Sequence, residues 1–220
     1  MKYLKMTGLA VLAATALIAF AGAGTATAKS GVACSNSSDP CTAKWTTPTT
    51  IDFSLESGTS FQVESTVGAA LDTCTKSTFT TKLIENPNPT GTATSENTEI
   101  TWGDAATLCK WLTAPTTLGK LKFEAEAQNP MAGNALVYAD TEIEVTVTVS
   151  GFFGGPCIYR VPAGTQLGTF NEANQTITFN AVIERTQTAE HPCVFGTQTA
   201  KMTGLYVKTS PATTLWFSTS

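Results

Sequence analysis

The segment Glu142-Ile143-Glu144-Val145-Thr146-Val147-Thr148-Val149 places an apolar side chain at every second position. Successive side chains of a β-strand point to opposite faces, so this alternation predicts a strand with one buried face and one wet face. Such strands are typical of antiparallel sheets, whereas the strands of parallel sheets are buried on both faces. The segment therefore favours an all-β fold of antiparallel strands.

The same alternation recurs in short runs along the chain. The runs are 51–56, 61–64, 120–127 and 176–184, and clusters of Gly and Pro, such as 151–156, separate strand-like segments. Many short strands at regular spacing are typical of a sandwich or barrel. We expect an antiparallel β-sandwich of the Ig-like or Greek-key type. A membrane-spanning barrel is disfavoured. Its strands need about 9–11 residues, and most of the alternating runs in this chain are shorter.

Cysteine usage indicates a disulfide-bonded protein. All six cysteines lie after residue 28: Cys34, Cys41, Cys74, Cys109, Cys157 and Cys193. An even number in an exported chain indicates disulfides, and a zinc site is disfavoured because no CxxC motif occurs. The similar separations of two pairs (109 − 74 = 35 and 193 − 157 = 36) suggest equivalent bridges. We predict Cys34–Cys41, Cys74–Cys109 and Cys157–Cys193.

The N-terminal residues resemble a secretion signal. Lys2 and Lys5 precede an apolar stretch, and small residues follow up to Ala26-Thr27-Ala28, a pattern that signal peptidase accepts. We expect a signal peptide over 1–28, a Ser/Thr-rich extension over 29–50 and a β-domain over 51–220. The similar cysteine intervals are consistent with two similar halves, about 51–127 and 134–220, or with coincidence. The predicted location is extracellular or at the cell surface.

The charge balance limits the classes of partner. Removal of two lysines with the signal leaves 11 basic residues (13 − 2) against 17 acidic ones, a net charge of −6. A weakly acidic chain without a basic cluster predicts neither nucleic acid nor an anionic membrane surface as a partner. We also expect no stable membrane insertion after signal cleavage. Charged residues make up 14% of the chain, and 37 threonines after residue 28 supply polar surface instead. Thr suits a pleated face in contact with water.

Candidate catalytic groups are few in the sequence. His191 is the single histidine, and no G-x-S-x-G motif accompanies it. The carboxylate pairs Glu124/Glu126 and Glu142/Glu144 each share a strand face and could serve a glycosidase, but they alternate with apolar residues and fit solvated faces. We assign no catalytic residue, no metal site and no cofactor.

The four tryptophans are candidate sugar contacts: Trp45, Trp102, Trp111 and Trp216. Trp216 is the strongest candidate, because Leu215 and Phe217 have the opposite parity and would point inward in a strand. We therefore name Trp216 as a possible ligand contact. The alternative is that all four are ordinary core or rim aromatics.

The C-terminal third resembles a group of secreted, β-rich actinobacterial proteins of unknown function. The matching features are Cys157-Ile158-Tyr159, Gly168-Thr169-Phe170, 176–179, His191-Pro192-Cys193 and the closing segments 204–207 and 215–217. The chain departs from that group at Pro192-Cys193, where its members often have Cys-Pro. A more distant resemblance is to small exported proteins named activators of alkane oxidation. Neither resemblance implies a catalytic residue.

Three functions follow as expectations. The first is a secreted or cell-surface, non-enzymatic protein with a binding or structural role, whose partner is a surface, a polymer or another copy of itself. The alternative is a secreted hydrolase acting on polysaccharide. The third is a protease inhibitor, for which the segment 151–156 before Cys157 is the candidate exposed loop.

Overall fold

A computed structural model describes residues 30–38, 40–65, 68, 70–87, 91–103, 109, 112–113, 117–126, 133–148, 156–186 and 199–219. These residues form fifteen strands and no helix, which confirms the all-β class. The strands are β1 (Val32–Cys34), β2 (Thr49–Leu55), β3 (Phe61–Ser65), β4 (Ala70–Cys74), β5 (Ser77–Glu85), β6 (Ala93–Trp102), β7 (Leu112–Thr113), β8 (Lys120–Ala125), β9 (Asn134–Ala139), β10 (Ile143–Thr148), β11 (Pro156–Val161), β12 (Gln166–Asn171), β13 (Thr176–Thr186), β14 (Thr199–Ser210) and β15 (Trp216–Ser218).

Eight strands form a closed ring, in the order β14, β2, β5, β6, β8, β9, β12 and β13. The ring closes because β13 pairs with β14, residues 176–184 lying opposite residues 207–199. The predicted sandwich has two separate sheets, and this arrangement is a barrel instead. Period-two alternation reports only that one face of each strand is buried, which holds equally in a barrel and a sandwich.

The long strands β13 and β14 continue past the ring and carry five further strands. β3 pairs with β14 at residues 200–203, and β4 pairs with β3. On the other side, β11 pairs with β13 at residues 184–186, and β10 and β7 follow outward. Strands of the two predicted halves therefore share one sheet, since β3 and β4 attach to β14. This pairing does not test the hypothesis that the two halves are similar.

The inward residues form a single hydrophobic core that is rich in aromatic rings. Phe53 stacks on Phe79 with ring centroids 4.6 Å apart, and Phe79 meets Tyr206 edge to face at 5.2 Å. Phe170 meets Phe53 at 6.5 Å, which links this cluster to the far side of the ring. Offset and edge-to-face pairs of this kind add stability beyond the area they bury.

A small sheet, made of β1 and β15, packs against the ring. Val32, Ala33 and Cys34 are all 0% exposed and pair with Ser218, Phe217 and Trp216 respectively. This part of the predicted extension over 29–50 is thus integrated into the core. The burial of residues 32–34 was not predictable from the sequence, because three apolar residues in a Ser/Thr-rich stretch form no periodic pattern.

The N-terminal side of the small sheet approaches the ring closely at Gly31. Gly31 exchanges backbone hydrogen bonds with the β6 side, donating to Gly91 O at 2.8 Å and accepting from Ala93 N at 2.7 Å. A Cβ atom at residue 31 would overlap the carbonyl of Phe123, so only glycine fits there.

The predicted disulfide framework is present where the structure describes it. Cys34 is bonded to Cys41, and Cys74 is bonded to Cys109. Cys157 is also disulfide-bonded. Its predicted partner, Cys193, lies outside the described residues, as does the predicted signal peptide.

Candidate ligand-binding cleft

The carboxylate pair at the start of β10 is held by an arginine. Arg160 Nε lies 3.0 Å from Glu144 Oε1 and 3.4 Å from Glu142 Oε1. Thr117 donates a second hydrogen bond to Glu144, at 3.0 Å. Both carboxylates are thus bound to one guanidinium, and Glu142 and Arg160 are themselves largely exposed. This pair therefore has the geometry of a surface ion-pair network.

The second predicted pair, Glu124 and Glu126, is divided between two environments. Glu124 contacts Lys122 at 2.9 Å, and the Lys122 ammonium lies 5.2 Å from the centre of the Tyr138 ring. Glu126 follows the end of β8 and is exposed. Burial and the nearby Glu124 charge raise the pKa of Tyr138. Glu124 is therefore engaged by Lys122, whereas Glu126 faces solvent.

A further carboxyl group, Glu172, was not singled out by its sequence context. It is 2% exposed, and its Oε1 accepts a hydrogen bond from Phe217 N at 2.7 Å. Burial raises the pKa of Glu172 to about 7, although the hydrogen bond from Phe217 opposes the shift. A solvent-borne substrate does not reach so buried a group, so we assign Glu172 to anchoring β15.

The predicted ligand contact, Trp216, shares a hydrogen-bonding partner with Trp45, namely Thr214. Trp216 is partly exposed, and its Nε1 donates to Thr214 Oγ1 at 3.0 Å. Trp45 is 7% exposed, and its Nε1 donates to the Thr214 carbonyl at 3.1 Å. Thr214 therefore connects the two indoles. The sequence did not indicate this connection, because Trp45 is far from Thr214 and Trp216 along the chain.

A surface cleft of about 230 Å³ opens next to Trp45. It forms where the segment after β1, the start of β2 and the segment after β14 meet. Its lining residues are Ser35, Lys44, Trp45, Thr46, Thr49, Pro211 and Thr213. Trp216 is not among them, so Trp45 is the tryptophan that forms a wall of the cleft.

Five of the seven residues that line the cleft carry a hydroxyl or ammonium group, although apolar atoms supply the larger part of its exposed lining. The Ser35 hydroxyl donates to Ala43 O at 3.1 Å, and the Thr49 hydroxyl donates to Thr46 O at 2.6 Å. Each hydroxyl oxygen can still accept a hydrogen bond from a ligand. Lys44 Nζ lies 3.3 Å from Pro87 O, a bond that uses one of its three donors. The cleft thus offers several acceptors and one cationic donor.

Two features hold this cleft in shape. The Cys34–Cys41 disulfide closes the loop that precedes Lys44, and Cys34 also forms a backbone bridge to Lys44. Asn86 binds the backbone on both sides, donating to Ala33 O at 2.8 Å and to Trp45 O at 2.9 Å. A wall fixed by such contacts loses little conformational freedom when a ligand binds.

The remaining predicted residues do not join this site. Trp102 packs against Phe61 with ring centroids 4.6 Å apart and belongs to the core. His191, Trp111 and the segment 151–155 lie outside the described residues. Within the described part of the chain, no group of three or more His, Cys, Asp or Glu side chains could hold a metal ion. No helix formed by the described residues is long and apolar enough to cross a membrane.

Comparisons with protein-family models, curated proteins and solved structures find no match to this chain. The resemblance to secreted actinobacterial proteins and to activators of alkane oxidation therefore stays a prediction.

Proposed function

We propose that the protein is an exported, non-enzymatic binding protein whose cleft beside Trp45 takes a hydroxyl-rich ligand, such as one unit of a polysaccharide. The cleft is the observation that carries the proposal. Its volume of about 230 Å³ exceeds the roughly 150 Å³ of a cavity that accommodates benzene, so a sugar-sized ring has room to enter.

The chemistry of the lining supports a hydroxyl-rich ligand. Three threonines, one serine and Lys44 surround a largely buried indole, Trp45. Sugar hydroxyls donate to such hydroxyl oxygens and accept from an ammonium group. The indole is an apolar wall against the C–H face of a sugar, and it exposes too little surface to serve as a broad stacking platform.

Export is the second part of the proposal. The disulfides Cys34–Cys41 and Cys74–Cys109 are compatible with an oxidising, extracellular space. A polymer or cell surface in that space is the expected partner.

The alternative function is a polysaccharide hydrolase. It is less well supported, because Arg160 binds the Glu142/Glu144 pair and Lys122 binds Glu124. The inhibitor hypothesis depends on residues 151–156, of which only Pro156 is described, and it stays a prediction.

The test combines retention on insoluble polysaccharides and whole cells with a screen for glycan hydrolysis. We expect retention without released sugars. Thr213→Trp, which fills the exposed rim of the cleft, should weaken retention at least tenfold. Thr98→Trp, at an exposed threonine of β6 that does not line the cleft, is the matched control and should bind normally.

Two outcomes would count against the proposal. Normal retention of Thr213→Trp would remove the cleft as the binding site, and Trp216→Ala would then test the neighbouring indole. Hydrolysis that is lost in Glu142→Gln or Glu124→Gln, with folding intact, would establish the hydrolase instead.

A further inference from the structure

The cleft beside Trp45 differs from the rest of the molecule in its charge. Among the described residues, its lining contains one charged side chain, Lys44, and no carboxylate. The described residues of 30–50 and 207–219, which form the cleft and its surroundings, carry two charged side chains, Lys44 and Lys208. Both are cationic, although the whole chain has 17 acidic residues against 13 basic ones. The cleft is thus a positive region on an acidic protein.

The charge of Lys44 is not neutralised by any described carboxylate. Its side chain is half-buried, and its Nζ donates to the neutral carbonyl of Pro87 at 3.3 Å. The ion pairs among the described residues involve Lys122 and Arg160 instead. Asp39 lies outside the described residues. A cation that is partly withdrawn from water gains from a nearby anion, and Lys44 keeps two further donors with which to bind one.

Lys208 contributes positive charge behind the wall of the cleft. Its ammonium donates to the carbonyl of Pro211, which is one of the lining residues. Burial lowers the pKa of Lys208, as is typical of a cation without a counter-ion. Both lysines are therefore bound to neutral main-chain oxygens.

Lysines on the outer faces of the strands are arranged differently. Lys82 of β5 and Lys120 of β8 both lie opposite Glu96 of β6, and Lys201 of β14 lies opposite Glu64 of β3. Opposite charges on neighbouring strands stabilise a sheet. At the cleft no such acidic neighbour is found among the described residues, so a ligand is left to supply the negative charge.

The size and the other lining groups of the cleft limit the kind of anion. A free inorganic anion would leave the apolar wall formed by Trp45 unused. By proportion with the roughly 150 Å³ that holds the six carbons of benzene, the cleft of about 230 Å³ accommodates roughly nine non-hydrogen atoms. This is most of one sugar ring, and the cleft is open, so the remaining atoms extend into solvent. Ser35, Thr46, Thr49 and Thr213 supply hydroxyls for the uncharged part of such a ring.

We propose that the cleft selects an acidic sugar unit, whose carboxylate or sulfate group binds the Lys44 ammonium while its hydroxyls bind the serine and threonine hydroxyls of the lining. This inference rests on the proposed function, because it specifies the ligand of the same cleft.

The test measures the affinity of the purified, disulfide-bonded protein for matched charged and uncharged glycans by calorimetry. The first pair is oligogalacturonate and the same oligomer with every carboxylate methyl-esterified, which keeps the ring and its hydroxyls and removes the charge. We expect the acid to bind at least tenfold more tightly. This preference should shrink as salt is raised from about 0.01 M to about 1 M, because the screening length falls from roughly 30 Å to 3 Å. A sulfated galactan and its desulfated form are the second pair, and the pair with the larger ratio of affinities identifies the anionic group.

Variants of Lys44 assign the preference to the cleft. Lys44→Gln should bind the acid at least tenfold more weakly and leave binding of the ester unchanged, whereas Lys44→Arg should retain the preference. Lys201→Gln removes the same charge from an exposed position of β14, away from the cleft, and should behave like the unmodified protein.

The outcomes distinguish this inference from the proposed function. Equal affinities for the acid and the ester, both weakened by Thr213→Trp, would overturn the inference and leave the proposed function intact. A charge preference that survives in Lys44→Gln would also overturn it, because the anion would then bind elsewhere. Binding of no glycan at all would overturn both proposals. The comparison of the acid with the ester uses the unmodified protein, so the test does not depend on the folding of a variant.

Discussion

The ring and the small sheet are stabilised in different ways. The closing contact of the ring, between β13 and β14, is a continuous antiparallel ladder over residues 176–184. The small sheet has three residue pairs and is held by single side chains: Asn86 binds Ala33, Glu172 binds Phe217 N, and Gln175 binds Leu215. Many main-chain hydrogen bonds thus stabilise the ring together. The small sheet depends instead on a few side chains that lie far along the chain from the strands they bind.

This difference predicts which part opens first. Local opening is easiest where few contacts must break together. The amides of residues 32–34 should therefore exchange with solvent faster than those of residues 177–183. The cleft beside Trp45 borders the small sheet, but the Cys34–Cys41 disulfide and Asn86 hold its wall, so it should keep its shape when the small sheet opens.

The largest expected effect comes from Phe217→Ala. Phe217 is 7% exposed, stacks on Phe123 at 4.8 Å and meets Phe170 edge to face at 5.8 Å. Removal of a buried Phe side chain costs about 3–5 kcal/mol of unfolding free energy. Urea denaturation measures this loss, and hydrogen exchange locates it. We expect protection to fall at residues 32–34 and to persist at residues 177–183; equal loss in both regions would contradict the comparison.

The second effect is a pH dependence that arises at Glu172. Its pKa is about 7 in the folded protein, against an ordinary value of 4.5, so the folded state binds the proton more tightly than the unfolded state. The contribution of Glu172 to stability is therefore greatest below pH 4.5 and falls as the pH rises towards 7. A shift from 4.5 to about 7 corresponds to roughly 3.4 kcal/mol as an upper bound.

Glu172→Gln is the matched variant for this prediction. The amide oxygen can still accept from Phe217 N, but the side chain no longer ionises. The difference in unfolding free energy between the variant and the unmodified protein should grow as the pH rises from 4.5 to 7 and then level off. A difference that is independent of pH would show that Glu172 does not titrate in this range.

The same contrast explains what the sequence could predict. Strands such as β10 and β13 follow from alternation, and the Cys34–Cys41 and Cys74–Cys109 pairings follow from spacing. Ring closure was not predictable, because no local pattern reports which strands pair. The cleft was also hidden, since Lys44, Thr49 and Thr213 meet only through the small sheet.

The smallest expected effect tests the outer face of the ring. Val182 is 55% exposed on β13 and lies opposite Lys201, and the next residue, Ile183, is 0% exposed. Val182→Thr keeps a β-branched side chain on a wet strand face, so the free energy of unfolding should change by less than about 0.5 kcal/mol. Ile183→Val removes one methylene from the core and should cost about 0.5–1.5 kcal/mol. These neighbours point to opposite faces of β13. Urea denaturation of the two variants therefore tests which face of the strand is buried.

A loss above about 1 kcal/mol for Val182→Thr would mean that the outer face is covered, for example by a second copy of the chain. A midpoint of unfolding that depends on protein concentration would identify that case.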